Sequence, residues 1–148
     1  MPELDTLDFR GFLAGLPAIE LLARTIREEA GNQSLRGKVA VAHVILNRVA
    51  RPSWWGRDLH SVIMMNYQFS CYNHGTKSLE RAACTPADRT HKLIADMALQ
   101  GLTSDPTGGA DHYCRHDVDP MWRHAYRETV AIGDHVFFDS RQRVGVAA

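Results

Sequence analysis

The segment from Ser34 to Ala50 constrains this chain more than any other. Val39, Val41, Val44, Ile45, Leu46 and Val49 leave it apolar almost all the way round. A helix without a polar face belongs in the middle of a core. Pro52 ends it, because proline cannot continue the hydrogen-bond ladder. Its one polar seam is His43 and Asn47, a turn apart. Such a pair either hydrogen-bonds inside the core or serves a site, and Asn47 is a candidate substrate-binding residue.

Two other helical segments have clear periodicity. From about Pro17 to Ala30, Ala18, Ile19, Leu22, Ala23, Ile26 and Ala30 recur at helical spacing. Pro17 suits a first turn, and Gly31-Asn32 is a natural stop. From about Pro86 to Leu99, Leu93, Ile94, Met97 and Ala98 are expected to face inward, with Gly101 closing the run. Leu59 to Met65 fits a short helix or an extended run equally well, and Gln68 to Gly75 reads as a polar loop. Turn-forming residues crowd Ser104 to Gly109. Ala110 to Tyr113 and His135 to Phe138 are expected as short strands, with Trp122 between them. Without repeats or a linker-like stretch, residues 1–148 read as one domain of mostly α (α+β) class.

Composition narrows the partners. The chain has 17 Lys plus Arg against 17 Asp plus Glu, so it lacks the basic excess that nucleic acid demands of a main partner. At 45% hydrophobic and 23% charged it is an ordinary globular mix, which excludes a disordered chain. Met1-Pro2-Glu3-Leu4-Asp5 has neither the basic region nor the apolar stretch of a signal peptide. The longest strongly apolar run, Val39 to Leu46, falls short of the ~20 residues that span a bilayer. The expectation is a monomer made in the cytoplasm, with no stable membrane insertion. Cys71, Cys84 and Cys114 are odd in number and are expected as thiols.

Helix geometry singles out one acid. With Leu22 at zero and about 100° per residue, the apolar positions of the Pro17–Ala30 helix fill an arc from about −40° to +100°. Glu29 falls at about −20°, inside that arc, and Glu28 at about −120°, toward solvent. A glutamate on a core-facing stripe is costly as the anion, so it is either paired, with Arg24 or Arg48 as partners, or protonated through a raised pKa. A raised pKa is what a general acid needs near neutral pH.

With those residues in view, the chain resembles the SleB-type cell wall hydrolase family, which includes spore-cortex-lytic enzymes and phage lysins. The resemblance is carried by Leu22-Ala23-Arg24 to Glu29-Ala30, then Gly37-Lys38-Val39-Ala40-Val41-Ala42 to Asn47-Arg48-Val49. Gln68-Phe69-Ser70, Asp105-Pro106-Thr107-Gly108-Gly109-Ala110 with His112-Tyr113, and Ile132-Gly133-Asp134-His135-Val136-Phe137-Phe138 follow in order. The resemblance implies a lysozyme-like fold, peptidoglycan as partner and no cofactor. It also implies cleavage between N-acetylmuramic acid and N-acetylglucosamine. The family's Gly-Glu-Ala element maps onto Glu28-Glu29-Ala30, with Glu29 as the acid. Glu28 replaces the usual glycine, and Gln33-Ser34 stands where many members carry a second acid.

Ordinary glycosidases need two carboxyl groups. Only Glu29 is well placed here, since Asp105, Asp111 and Asp134 sit in loops or turns. A lytic transglycosylase avoids the second one, because the muramic 6-hydroxyl attacks intramolecularly. The expected reaction is therefore of that type, in an endolysin acting on the wall after release, with a hydrolytic muramidase as the alternative. Gln68, Ser70, His112, Tyr113 and His135 are candidate substrate-binding residues, and Trp54, Trp55 and Trp122 candidate sugar platforms. Two rivals stand beside this reading. One is a zinc amidase built on His112, Cys114 and His116 or on Cys71, His74, Cys84 and His91. The other is a wall-binding module without catalysis. The absence of His-Glu-x-x-His leaves the zinc pattern weak, and no metal ligand is assigned.

Overall fold

In the computed structural model, which describes residues 7–65, 69–73 and 75–145, the apolar segment forms a helix at Leu35–Ala50 (α3). Ser34 caps it by accepting from the Gly37 amide at 3.2 Å. Before α3 come Phe9–Ala14 (α1) and Ala18–Ala30 (α2), and after it Leu59–Met64 (α4), Lys77–Cys84 (α5) and Arg89–Leu99 (α6). Three strands follow: His112–Arg115 (β1), Tyr126–Ile132 (β2) and His135–Arg143 (β3). They form an antiparallel sheet in the order β1-β3-β2. The class is α+β, as expected. Among the described residues no helix is long and apolar enough to cross a membrane.

α3 meets apolar surface on two sides, which is why it needs no polar face. Val41, Ala42 and Ile45 join the larger core with Leu21, Leu22 and Ile26 of α2 and Val62 and Ile63 of α4. Ala40 and Val44 join a second cluster with Ala110, Ile132 and Phe137, under the sheet. His43 and Asn47 lie between these contacts and find polar partners in the connection that leads to β1. His43 Nε2 meets Thr103 Oγ1 at 2.7 Å, and Asn47 donates to Asp105 Oδ2 and to the Ala110 carbonyl.

The β2–β3 hairpin turns through Gly133-Asp134, with Ile132 opposite His135. Gly133 has φ +59°, which glycine tolerates and other residues resist. Gln33 docks on this turn, accepting from the Asp134 amide at 3.1 Å and donating to Asp134 Oδ2 at 2.9 Å. A side chain at Gly133 would also run into Gln33, since a Cβ there would lie 2.5 Å from Gln33 Oε1.

Several expectations need correction. The helix expected from Pro86 begins at Arg89, where the Asp88 side chain caps it by accepting from the His91 amide. Its buried stripe is His91, Ile94, Ala95 and Ala98. Leu93 and Met97 lie off that stripe, and Leu93 is 57% exposed. Ile19 is likewise exposed, although at about +60° it falls inside the α2 arc. Leu59–Met64 resolves as helix, held by a capping box between Asp58 and Ser61. α1, α5 and β2 were not expected. α1 is anchored by Arg10, which donates to the carbonyls of Met64 and Tyr72.

Removing side-chain volume from α3 opens a cavity that neither apolar cluster can close. Ile45→Ala is expected to cost about 3 kcal/mol of unfolding free energy. Leu93→Ala, on the exposed face of α6, is expected to stay within about 0.5 kcal/mol. Paired urea-unfolding curves check both.

Candidate active site

Because α3 packs on α2 with one face and on the sheet with another, the last turn of α2 faces the edge strand β1 across a cleft of about 640 Å³. Glu29 comes from α2, Arg48 from α3, Phe69 from the turn before α5, and His112 and Tyr113 from β1. Successive residues of a strand point to opposite faces. His112 and Tyr113 both line the cleft, so it curls around the free edge of β1. Trp54, Trp122, Tyr126 and His135 complete its walls.

The Glu29 carboxyl is pushed up to about 7, first by burial. Hydrogen bonds from Cys71 and Tyr113 pull the other way, and the charge of Glu28 adds a smaller upward push. Cys71 Sγ lies 3.6 Å from Glu29 Oε1, long for a donor that is already weak. Burial also raises the pKa of Cys71 and Tyr113, with the Glu29 charge reinforcing the shift, so both remain protonated donors. Among the described residues Glu29 makes no salt bridge. Arg24 is taken by Glu20 at 2.8 Å and by the carbonyls of Ala82 and Ala83, and Arg48 Nε by the Asp111 carbonyl at 2.7 Å.

Glu28 departs from expectation. Its side chain is 3% exposed rather than solvated. It turns toward α5, where Arg81 Nη2 meets it at 2.6 Å, and Arg27 adds a contact at 3.3 Å. A buried carboxylate survives only with such pairing.

The opposite wall is an anchored histidine in an aromatic setting. His112 Nδ1 lies 2.8 Å from Asp111 Oδ1. Burial alone would raise the Asp111 pKa, but His112 and the Ser140 hydroxyl and amide together hold it down at about 2. The His112 ring sits 4.9 Å from Tyr126, 5.0 Å from Trp122 and 6.1 Å from Trp54. Trp54 and Trp122 reach the cleft, whereas Trp55 is buried, donating from Nε1 to the carbonyls of Arg48 and Arg51. His135 packs edge-on against Tyr113 at 5.0 Å. Its pKa is lowered by burial and by Arg115, against a smaller opposing effect of Asp134, which favours the neutral imidazole.

The structure therefore brings Glu29, His112, Tyr113 and His135 together and sets Asn47 apart. Asn47 does not line the cleft. Its amide is spent on Asp105 and Ala110, fixing the turn that delivers β1. Gln68 lies outside the described residues, as does the side chain of Ser70. Asp105 accepts from Thr107 and Gly109 within its own turn, and Asp134 is bound by Gln33. Among the described residues no group of three or more His, Cys, Asp or Glu could hold a metal ion. Cys71 sits beside Glu29, Cys84 is exposed, and His91 is bound to Asp88; His74 lies outside the described residues. Sequence reasoning missed Phe69, Tyr126 and the part played by Cys71. Their one signal in the sequence is the Phe between Gln68 and Ser70.

The raised Glu29 pKa has a consequence for stability. The folded state holds this proton more tightly than the unfolded chain, so the group's contribution is full below about pH 4.5 and is lost as pH rises through about 7. Glu29→Gln removes that loss. Its unfolding free energy is expected to exceed that of the parent chain at pH 8 by an amount on the order of 1–3 kcal/mol, raising the thermal midpoint, with a much smaller gain at pH 5. Melting curves at the two pH values check the sign.

Comparison with known proteins finds relatives of this sequence and of this fold. Residues 32–138 match the family model described as cell wall hydrolase. A spore cortex-lytic enzyme of Halalkalibacterium halodurans is 32% identical over 120 residues, which is 80% of this chain and 34% of that protein. One from Bacillus cereus is also 32% identical over 120 residues, covering 43% of its length. The chain thus spans less than half of these curated relatives. Among solved structures, the catalytic domain of the germination-specific lytic transglycosylase SleB from Bacillus anthracis aligns with TM-score 0.71 and 27% identity. That alignment covers 84% of this chain and 98% of that one. The catalytic domain of the Bacillus cereus SleB protein aligns with TM-score 0.70 and 28% identity, over 82% of this chain and 89% of that one.

Proposed function

The chain belongs to the cell wall hydrolase family, and from that premise we propose that it cuts peptidoglycan glycan strands between N-acetylmuramic acid and N-acetylglucosamine, as a lytic transglycosylase with Glu29 as its one catalytic carboxyl group. The matched family segment begins at residue 32, so the role of Glu29 rests on the geometry of the cleft. One observation carries it. Glu29 is a cleft carboxyl without an ion-pair partner among the described residues, and burial holds it protonated to about pH 7.

In this mechanism Glu29 gives its proton to the glycosidic oxygen as the bond from that oxygen to the muramic anomeric carbon breaks. The positive charge that builds on the sugar ring faces a carboxylate newly formed in a dry site, where such attraction is strong. The muramic 6-hydroxyl then adds to the anomeric carbon and returns its proton to Glu29. No water is consumed and the product ends in a 1,6-anhydro ring. A hydrolase would need a second base, and among the described residues the other carboxylates at the cleft are engaged. Glu28 is neutralised by Arg81 and Arg27, while Asp111 is fully buried behind His112. Trp54 and Trp122 offer faces for sugar rings. The same proposal has the enzyme act on the wall after release, in the manner of an endolysin.

Purified peptidoglycan digested with the parent chain is expected to yield 1,6-anhydro-muramic ends by mass spectrometry. Glu29→Gln is expected to lower the rate by at least about 10²–10⁴. A plain reducing muramic end would replace transglycosylation by hydrolysis, and an unaffected Glu29→Gln would remove the assignment of the acid.

The pH profile gives a second check, since an acid catalyst must be protonated in the free enzyme. The rate is expected to fall above about pH 7. Cys71→Ala removes a donor to the carboxylate and should move that limb upward. Glu28→Gln removes a like charge and should move it downward. Limbs of kcat/KM measured for the three proteins decide it.

A further inference from the structure

A second groove, of about 330 Å³, adjoins the cleft, and the rings of Trp54 and Tyr126 line both. Its other walls carry Arg51, Arg141 and Arg143. The chain as a whole has no excess of positive charge, so three guanidinium groups around one groove are a local concentration. Their counter-charges lie beneath the surface. Asp139 is bound by Arg141 Nη2 at 2.9 Å, and Arg51 Nη1 lies 3.6 Å from Asp111 and 3.8 Å from Asp139. Both aspartates are buried, whereas the Arg141 side chain is 55% exposed. Two buried carboxylates against three cations leave the mouth of the groove positive. Arg143 sits 5.5 Å above the Tyr126 ring and makes no salt bridge among the described residues.

We infer that this groove is a subsite for the carboxylates of the peptide stem that hangs from muramic acid, so that the enzyme favours peptide-bearing strands. The inference rests on the function proposed above. A glycan backbone of N-acetylated sugars is neutral and gives three arginines nothing to bind. The stem peptide is the anionic part of the polymer, and arginine recognises carboxylates through its planar fork. A sugar seated at the Trp54–Tyr126 end of the cleft has this groove as the adjoining concave surface for whatever leaves its edge.

The test compares three substrates: native peptidoglycan freed of attached polymers, the same material with its carboxylates converted to neutral amides, and peptide-free glycan strands. In native material the lactyl group is already in amide linkage, so amidation neutralises only peptide carboxylates. In peptide-free strands the lactyl carboxylate is free. Native peptidoglycan is expected to be cut several-fold faster than the other two. Arg141→Ala and Arg143→Ala are each expected to shrink the preference for native over amidated material by about two- to fivefold, as exposed ion pairs do. Salt should shrink it likewise. Because the readout is a ratio within one protein, a loss of folded fraction cancels. Equal rates on native and amidated material, or a preference that both variants retain, would overturn the subsite and leave the glycan-cleaving activity standing. Peptide-free strands cut as fast as native material would move the recognised anion to the lactyl group and overturn the stem assignment. Failure to cut any of the three would remove the proposed function itself.

Discussion

The burial of α3 on two sides sets the geometry on which the cleft depends. Glu29 belongs to α2 and Tyr113 to β1, segments separated by most of the chain. Neither could desolvate the other without a rigid spacer. α3 supplies it, holding α2 through Val41, Ala42 and Ile45 and the sheet through Ala40 and Val44. Tyr113 packs against both clusters, so the residue that roofs Glu29 is fixed by the same contacts that fix the helix. The proton affinity of the acid is therefore a tertiary property. Within the Glu28-Glu29-Ala30 segment only the charge of Glu28 contributes, and it ranks last.

Glu29 and Asp111 show how one physical penalty leads to two outcomes. Burial is the largest upward influence on both carboxyls. Among the described residues Glu29 receives only a long contact from a thiol and a hydrogen bond from a phenol, so desolvation wins and its pKa stays near 7. Asp111 receives His112 and two groups of Ser140, with Arg51 nearby, and it remains an anion. The number and strength of donors decide the charge state, and the charge state decides the role. A neutral carboxyl can donate a proton, while a fully satisfied anion can only orient its histidine.

Much of this is legible in the residues. The all-round apolar pattern of Leu35–Ala50 places it centrally, and the apolar arc of α2 marks Glu29 through helical spacing alone. The order of short motifs leads to the family. What escapes has weak local signals. α1 and α5 are six and eight residues long, too short to be stable alone, and only the caps Asp8 and Thr76 announce them. β2 is a strand because Gly133-Asp134 folds it against β3, a hairpin cue present in the sequence but overshadowed by the alternating charges of Arg127 and Glu128. The helical wheel puts Glu28 outside the apolar arc of α2, but it cannot show that α5 covers that face and brings Arg81 to it. Asn47 lies away from the cleft for the same kind of reason. Its partners come from a turn far along the chain.

Glu28 also bears on how firmly the acid is tuned. The Glu28 side chain sits next to the proposed proton donor, and an unpaired charge there would control its titration. Arg81 and Arg27 take up that charge and tie the end of α2 to α5. What reaches Glu29 is a residual push that ranks below burial and below the hydrogen bonds of Cys71 and Tyr113. Dryness thus remains the main determinant of its pKa. A glycan strand seated between Trp54, Trp122 and Tyr113 would displace water from the cleft and dry the carboxyl further. In the proposed mechanism, binding therefore acts in the direction that keeps the proton on Glu29 until the departing oxygen accepts it.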